Sequence, residues 1–557
     1  MDYNRKINKQ IIPTVIAYLL IIYSAFWLVY NASNFSSTGD ETVYGPSGVR
    51  MLLKGDLIMN SEHPPLNKIL AGLFLLPTKP NIETALTQTI NNNQWQFGDA
   101  FLFESGNSTE YVMFISRLPT VILTLLMIVS VWLWSRKNIG AYAGLGAVAS
   151  LALNPNILAN GALTTNDMHL TVAVWLLFIA TFNLFSQPKK LLPYLWFGLA
   201  LGFVLIAKFS GVFFVGLAGL IALVGLIIKK TPAKKLIVGI IIAIIATLGL
   251  VWVSYVAIEW KGLTSNEPIT VDVPRYKLVE MANPIKKILI VPLLRYKEGY
   301  NVVSDHNQLG HNAYLDGQFS MEGFRSFFTK SLWYKTPTAL LFLAVLGFFI
   351  AIIKKKWILV TLFVIGVVTV VMANLSHIHI GIRHILPVYV LFSPSVGFAF
   401  SELIASRKKI FYSLAGLIIL WWIIDLGLNG PNKISYFSEI SGGWKNGYKH
   451  LADSNIDWGQ EFKYLTSYLD RHPDQNYIIG FFSGENPIYQ GYQYTRLDSL
   501  GTNALCGGLK PDETLIVSVN LVIGLFGPYP CIIEQIDKAD RLGHTYFILK
   551  PDDFDSN

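Results

Sequence analysis

Apolar runs of about 20 residues recur along most of this chain and constrain its fold more than any other feature. A helix of that length crosses the roughly 30 Å of hydrocarbon in a bilayer. Charged residues make up only 14% of the sequence, against about a quarter in soluble domains. We therefore predict a polytopic α-helical membrane protein with about eleven transmembrane helices. The predicted spans are residues 11–30, 116–135, 139–157, 169–185, 191–207, 211–228, 236–258, 335–353, 357–375, 385–404 and 410–428.

Clusters of Lys and Arg lie between alternate spans, and cytoplasmic loops favour these two residue types. The clusters are Arg5, Lys6 and Lys9; Arg136 and Lys137; Lys189 and Lys190; Lys229, Lys230, Lys234 and Lys235; Lys354, Lys355 and Lys356; and Arg407, Lys408 and Lys409. All of them fit one alternation, which places the N-terminus in the cytoplasm and the C-terminus outside. The formal net charge of +8 is therefore interpreted as a signal for membrane topology and not for nucleic-acid binding.

Three long segments lie outside the cell membrane in this topology, at residues 31–115, 259–334 and 429–557. We predict that residues 1–428 form the transmembrane module, with the first two segments as its outer loops. The third segment is long enough for a small extracytoplasmic α/β domain. A helix capped by Ser454 or Asp457 would continue to about Asp470, and strand-like runs follow at 477–482, 514–520 and 544–549.

The two cysteines, Cys506 and Cys531, both belong to this outer domain. They lack the spacing of metal ligands, and oxidation is permitted outside the cytoplasm. We predict that they are close enough to form a disulfide, with two buried free thiols as the alternative.

Titratable residues are concentrated on the outer side of the predicted topology. All ten histidines, and all carboxylates except Asp2 and Glu402, lie outside or at outer span ends. Because acid–base chemistry needs such groups, a catalytic site is predicted on that face. A transporter would instead carry polar groups inside its spans, and these spans are nearly free of them. The alternative is a lipid or polysaccharide exporter, or a cell-envelope assembly protein that binds through its C-terminal tail, residues 429–557.

Carboxylates follow the first span closely and could supply a general base. Asp40 and Glu41 come first, and Glu62-His63-Pro64-Pro65 follows, where the two prolines stiffen the chain around Glu62 and His63. Ordinary acids in a solvated loop are the commoner explanation for such residues. Asp167, at the start of the fourth span, is equally well explained by helix capping and by function.

Cations at outer span ends oppose the general bias of positive charge toward the cytoplasm. They are Arg117, Lys208 and the pair Arg383-His384, with His377 and His379 nearby. An anionic ligand such as a phosphate would explain them, and contact with lipid headgroups is the alternative. The segment from Asp453 to Gln460 is interpreted, by its chemistry alone, as a capped helix start. The sequence contains no metal motif, Ser-His-Asp order or phosphate-binding loop. It shows no required cofactor and leaves the use of a divalent metal open.

Taken in order, these motifs resemble those of the lipid-carrier-dependent glycosyltransferases of the GT-C class. The resemblance is to the bacterial relatives of protein O-mannosyltransferases, glycosyltransferase family 39. The matching features are Asp40-Glu41, Glu62-His63-Pro64-Pro65, Arg117 before Pro119, Thr165-Asn166-Asp167, Gly381-Ile382-Arg383-His384 with Pro387, and Ser454 through Gln460. They extend from the first span to the tail in the order found in the family.

This resemblance implies an inverting transfer of a hexose or pentose from a polyprenyl-phosphate donor to a hydroxyl of a protein, lipid or glycan acceptor. Asp40 would act as the general base, with Glu41, Glu62 and Asp167 as the other candidate acids. Arg117 would contact the donor phosphate. His63, Lys208, Arg383 and His384 are the further candidates for that phosphate, and no metal ligand is implied.

Three features distinguish this chain from particular branches of the family. His63 occupies the position where the related aminoarabinose transferases have Lys. The segment 259–334 is too short for the β-trefoil of eukaryotic protein O-mannosyltransferases. The stretch Trp421-Trp422-Ile423-Ile424-Asp425 does not match the Trp-Trp-Asp-Tyr-Gly motif of oligosaccharyltransferases.

Overall fold

Helices dominate the computed structural model, which describes residues 2–272, 278–406, 408–503, 505–527 and 529–554. Arg407, of the last predicted basic cluster, lies outside the described residues. The α-helices are α1 Asp2–Asn34, α2 Glu41–Lys54, α3 Leu66–Leu75, α4 Glu83–Gln88, α5 Gln94–Asp99, α6 Thr109–Asn138, α7 Ala141–Ala152, α8 Pro155–Asn160, α9 Asn166–Ser186, α10 Leu192–Ala207, α11 Val212–Ile228, α12 Ala233–Thr264, α13 Pro284–Leu309, α14 Phe327–Lys335, α15 Thr338–Ile353, α16 Trp357–Ala373, α17 Pro387–Ala405, α18 Lys409–Leu428, α19 Phe462–Arg471, α20 Val519–Val522 and α21 Pro530–Ile533. The strands are β1 Ile269–Asp272, β2 Leu278–Met281, β3 Ala313–Leu315, β4 Gln318–Ser320, β5 Asn476–Gly480, β6 Thr495–Arg496, β7 Glu513–Ser518, β8 Asp540–Leu542 and β9 Tyr546–Leu549.

Each predicted membrane span falls on an apolar helix, which confirms the polytopic helical class. Among the described residues, seven helices are long and apolar enough to cross a bilayer: α1, α6, α9, α11 with the turn before it, α12, α17 and α18. Helices α14 and α15 make an eighth candidate together, although they are bent by 113° at their junction. Helices α7, α10 and α16 have 12, 16 and 17 residues, at or below the lower limit of about 17 for a span. That these three helices also cross the membrane, which would give eleven spans, therefore stays a prediction.

Asn154 and Pro155 explain why α7 is shorter than the predicted span 139–157. The Asn154 side chain caps a new helix, accepting a hydrogen bond from Asn156 N at 2.9 Å. Pro155 occupies the first position of that helix, where a missing backbone N–H costs nothing. The chain therefore ends α7 and begins α8 within the apolar run.

The described residues form two compact units. Unit 1 comprises residues 1–41, 125–163 and 309–557, and unit 2 comprises residues 42–124 and 164–308. The predicted division into 1–428 and 429–557 stays a prediction.

A five-stranded mixed sheet in the order β6-β5-β7-β9-β8 organises the C-terminal part of unit 1. Strand β5 pairs in parallel with β6 and β7, and β9 pairs antiparallel with β7 and β8. Helix α19 packs Phe462, Leu465 and Leu469 onto the sheet. The strands predicted at 477–482, 514–520 and 544–549 coincide with β5, β7 and β9 and are confirmed. The predicted disulfide is also confirmed, since Cys506 and Cys531 are bonded with a Cα–Cα distance of 5.1 Å.

The predicted helix start at Ser454 or Asp457 is wrong, because α19 begins only at Phe462. Asp453–Asn455 forms a separate 3₁₀ turn, and the Asp457 carboxylate accepts hydrogen bonds from Gly459 N and the Ser518 hydroxyl. Gly459 has φ of +94°, a left-handed conformation that interrupts a helix and favours glycine. The chain therefore makes two turns before its helix.

Close helix packing in unit 2 depends on small residues. A Cβ at Gly198 of α10 would lie 2.4 Å from the carbonyl oxygen of Ala243 in α12. Thr247 of α12 donates a hydrogen bond to the carbonyl of Gly198 at 2.9 Å.

The sequence did not predict helix α13, which lies in the outer segment 259–334.

Candidate active site

Asp40 lies in unit 1, at the end of the loop that follows α1. The next residue, Glu41, is fully buried, and its Oε2 accepts hydrogen bonds from the backbone N and the hydroxyl of Thr38 at 3.1 and 3.0 Å. This contact resembles half of a capping box, which fixes the entry of a helix. The Asp40 side chain keeps 27% of its surface exposed. Of the two neighbouring acids, Asp40 is thus the accessible one.

Arg383 forms an ion pair with Asp40. Its Nη1 donates a hydrogen bond to Asp40 Oδ2 at 2.8 Å, and its Nε donates to Ser454 Oγ at 3.2 Å. The guanidinium lies over the ring of Trp458, with Cζ 4.0 Å from the ring centroid. Arg383 is itself buried, so its position is fixed by these three contacts.

Gly381 allows the chain around Arg383 to approach the C-terminal segment. A Cβ at this position would lie 2.4 Å from Ser454 Oγ. The Ser454 hydroxyl donates to the carbonyl of Ile380 at 2.8 Å, and Asn455 Oδ1 accepts from Ile382 N at 2.9 Å. The sequence Gly381-Ile382-Arg383-His384 is therefore bound to the segment that begins at Ser454.

The histidines near Arg383 occupy apolar surroundings. His384 stacks on Phe328 with 6.1 Å between the ring centroids. His379 stacks on Phe327, and its Nδ1 accepts a hydrogen bond from Phe324 N at 2.9 Å. Burial lowers the pKa of His379 to about 4. Burial therefore disfavours the cationic form of His379 that the sequence analysis expected.

In unit 2, Asp167 and Lys208 form an ion pair in which Lys208 Nζ donates to Asp167 Oδ1. Asp167 lies in the first turn of α9 and is almost fully buried. The N-cap residue of α9 is Thr165, so Asp167 does not occupy the capping position. Two residues that the sequence singled out separately, an acid and a cation, are thus brought together.

Glu62 and His63 lie in a turn that Lys68 stabilises. The Lys68 ammonium donates to the carbonyl of His63 at 2.8 Å and to Asn60 Oδ1 at 3.2 Å. Burial lowers the pKa of Lys68 to about 7. Glu62 Oε1 accepts from Gln94 Nε2 at 2.9 Å, and the His63 ring contacts Tyr44 edge-on. Lys68 was not among the predicted site residues, although a lone lysine in the apolar helix α3 was the available signal.

Arg117 is fully buried within α6, two residues before Pro119. A buried guanidinium is costly unless it is paired and hydrogen-bonded. Because Arg117 has no exposed surface, its position is not one for contact with lipid headgroups.

The predicted site residues are divided between the two units. Asp40, Glu41, Arg383 and His384 belong to unit 1, and Glu62, His63, Arg117, Asp167 and Lys208 belong to unit 2. Within the described ranges, no group of three or more His, Cys, Asp or Glu residues could hold a metal ion.

The profile of the family described as Dolichyl-phosphate-mannose-protein mannosyltransferase matches residues 109–256. This chain is similar to the GT-C glycosyltransferases. The match confirms the resemblance inferred from the sequence, and with it the prediction of a membrane glycosyltransferase that uses a polyprenyl-phosphate sugar. Arg117, Asp167 and Lys208 of this transferase all lie within the matched residues.

Three solved structures are similar to the transferase in fold. ArnT from Cupriavidus metallidurans, bound to undecaprenyl phosphate, is 12% identical with a TM-score of 0.40, and 95% of this chain and 97% of that chain are covered. The Archaeoglobus fulgidus oligosaccharyltransferase tethered with an acceptor peptide is 11% identical with a TM-score of 0.48, covering 95% and 72%. The S. cerevisiae Pmt1-Pmt2 complex bound to the sugar donor is 19% identical with a TM-score of 0.33, covering 45% and 33%. None of the curated proteins matches the sequence significantly.

Proposed function

We propose that this transferase moves a sugar from a polyprenyl-phosphate carrier to an acceptor hydroxyl on the non-cytoplasmic face of the membrane, with inversion at the anomeric carbon. The family match over residues 109–256 carries the proposal. Its description supports a mannose-like hexose as the sugar and a protein hydroxyl as the acceptor. The arrangement of charged residues in each unit supports the roles assigned below.

Asp40 is the proposed general base. A hydroxyl is a weak nucleophile until its proton is removed, and a positioned carboxylate can accept that proton. The hydroxyl oxygen attacks the anomeric carbon as the bond from that carbon to the phosphate oxygen breaks. The proton passes to Asp40, and the lipid phosphate leaves with the bonding electrons. The buried Arg383 fixes the carboxylate for this step.

The donor phosphate is the proposed ligand of the outer cations. Arg117 is the first candidate, because it lies at an outer span end against the inside bias of positive charge, within the residues that the family profile matches, and a guanidinium binds phosphate oxygens well. His63, Lys208, Arg383 and His384 are the further candidates. Lys208 and Arg383 each contact a carboxylate in this structure, so a phosphate would compete with Asp167 or Asp40 for them.

The proposal is tested by transfer from a radiolabelled donor. The purified full-length protein, in nanodiscs, would be incubated with tritiated undecaprenyl-phosphate mannose and with envelope membranes from cells lacking the gene. Label transferred to protein, lipid or glycan is the expected result, and glucose- and aminoarabinose-linked donors would identify the preferred sugar. Uptake of the intact lipid-linked sugar into sealed vesicles, without transfer of label, would instead favour the exporter.

A further inference from the structure

The loop that precedes Asp40 is hydrogen-bonded by the C-terminal segment of unit 1 at several positions. The contacts are Ser36 N to Gln460 O at 3.0 Å, Ser37 N and Oγ to Glu485 Oε1 at 2.7 and 2.8 Å, and Gly39 N to Trp458 O at 3.2 Å. Lys463 N also donates to Ser36 Oγ at 3.0 Å. The backbone leading to Asp40 is thus fixed by residues of the tail and not only by its own turn.

The same segment fixes the partner of Asp40. The Arg383 guanidinium lies over the Trp458 ring, with Cζ 4.0 Å from the ring centroid, a distance typical of a cation–π contact. Ser454 Oγ accepts a hydrogen bond from Arg383 Nε at 3.2 Å. These two contacts hold the guanidinium whose Nη1 donates to Asp40 Oδ2.

We propose that Trp458 and Ser454 are positioning residues of the transferase, which orient Arg383 and through it the carboxylate of Asp40. The inference rests on the proposed function, because it assumes that Asp40 takes the acceptor proton. It assigns the C-terminal segment to the construction of the active site, in addition to any role in binding an acceptor. Both side chains contact Arg383, and the proposal has them act through it.

Packing alone is the competing explanation for Trp458. Its ring belongs to an apolar cluster with Phe35, Ala159, Leu163 and Ile434, so its removal would also leave a cavity. Ser454 has no such role, because its hydroxyl bridges Arg383 Nε and the carbonyl of Ile380. Ser454→Ala therefore removes the orienting contact with little change in volume.

The experiment compares Trp458→Ala, Trp458→Phe and Ser454→Ala in the full-length protein in nanodiscs. Trp458→Ala and Ser454→Ala should lower turnover of tritiated undecaprenyl-phosphate mannose by about 10–100-fold, the range expected when a catalytic group is displaced by about 1 Å. Their Kd for undecaprenyl phosphate should stay within about twofold of the parent, because the inference assigns Arg383 to Asp40 and leaves the phosphate to Arg117, its first candidate. Trp458→Phe keeps an aromatic face beneath the guanidinium and should recover most of the turnover.

Trp444→Ala is the matched control, since Trp444 also lies in the tail but contacts His544 instead of Arg383. It should retain the parent turnover. Unchanged turnover in Ser454→Ala, or a loss that Trp458→Phe does not recover, would overturn the inference.

Hydrogen–deuterium exchange separates this inference from the proposed function. The peptide containing residues 36–41 should exchange faster in Ser454→Ala and Trp458→Ala than in the parent and in Trp444→Ala. If the parent protein transfers no sugar from any donor, the proposed function fails, and faster exchange of this peptide still supports the positioning role. Equal exchange in all four proteins contradicts that role.

Discussion

Arg383 Nη1 donates a hydrogen bond to Asp40 Oδ2 at 2.8 Å, across 343 residues of sequence. The two side chains differ in accessibility, since the arginine is buried and the aspartate keeps about a quarter of its surface. This ion pair orients the carboxylate of Asp40 through only one of its two oxygens, Oδ2. It therefore suits a carboxylate that must accept a proton from a molecule arriving at the protein surface.

Asp40→Asn should strongly reduce transfer and preserve donor binding. Asparagine keeps the size of the side chain and an oxygen for Arg383, but it cannot accept the proton of a hydroxyl. Turnover should fall by about 10²–10⁴-fold, as is typical for the loss of a general base. Radiolabel transfer measures the effect, and Asp470→Asn, an exposed acid of α19, is the control. Near-native turnover in Asp40→Asn, with loss in Glu41→Gln, Glu62→Gln or Asp167→Asn, would assign the base elsewhere.

Arg117→Ala should weaken binding of the lipid phosphate. The loss of a hydrogen bond between charged partners costs about 2 kcal/mol, which corresponds to a Kd roughly 30-fold higher. Binding of undecaprenyl phosphate to the protein in nanodiscs measures this change. Arg496→Ala, at an exposed ion pair with Asp498, should leave the Kd unchanged. Equal affinity of the parent and Arg117→Ala would remove Arg117 from the donor site.

Reduction of the disulfide should destabilise the tail. The bond closes a loop with a sequence separation of 25 residues, and loops of this size contribute about 3 kcal/mol by restricting the unfolded chain. The double substitution Cys506→Ser with Cys531→Ser should lower the unfolding temperature of the tail. A reducing agent should lower that of the parent to the same value and leave the double variant unaffected. Equal unfolding temperatures of the oxidised and reduced parent would argue against a stabilising bond.

Asp457 should make the stability of the tail depend on pH. Burial raises the pKa of Asp457 to about 7, whereas an aspartate in an unfolded chain titrates near about 4. Between these two pH values the folded protein holds a proton that the unfolded chain has released, so stability falls as pH rises and levels off above about 7.

Asp457→Asn replaces the titrating carboxyl group with a side chain that does not titrate. The substitution should therefore stabilise the tail, relative to the parent, more at pH 8 than at pH 4.5. Thermal unfolding at both pH values measures the difference. Asp470→Asn, on an exposed carboxylate, provides the matched control. A constant difference between the parent and Asp457→Asn across this range would contradict the prediction.

The orientation in the membrane is a further prediction. Lys355→Cys, in a basic cluster between α15 and α16, should react with a membrane-impermeant thiol reagent only after the cells are opened. Gly507→Cys, in the tail, should react in intact cells. The parent disulfide must stay intact in both variants, so labelling is done without a reductant. The reverse pattern of labelling would invert the proposed topology.

The membrane helices could be predicted because their signal is local. An apolar run long enough to span a bilayer has few other stable conformations. Helix α13 shows the limit of that signal, because Lys286, Arg295 and Glu298 interrupt its apolar residues. No apolar run of span length therefore predicts this helix.

The candidate site was predicted in part. Asp40 and Arg383 were each identified from residue type and position, but nothing local to either one indicates that they pair. Trp458 and Ser454 were assigned to a helix cap, because Ser and Asp before an aromatic residue commonly begin a helix. The glycine at 459 was the available signal, since a left-handed glycine ends the regular backbone that such a cap requires.

The hydrogen bonds from Ser37 to Glu485 have a consequence for the biosynthesis of the enzyme. The ribosome makes Glu485 448 residues after Ser37, after the whole of α18, the last apolar helix, has been synthesised. The loop before Asp40 therefore lacks its hydrogen bonds to Glu485 while the membrane helices are being inserted. A nascent chain that has not reached Glu485 therefore lacks the hydrogen bonds that hold the loop before the proposed base.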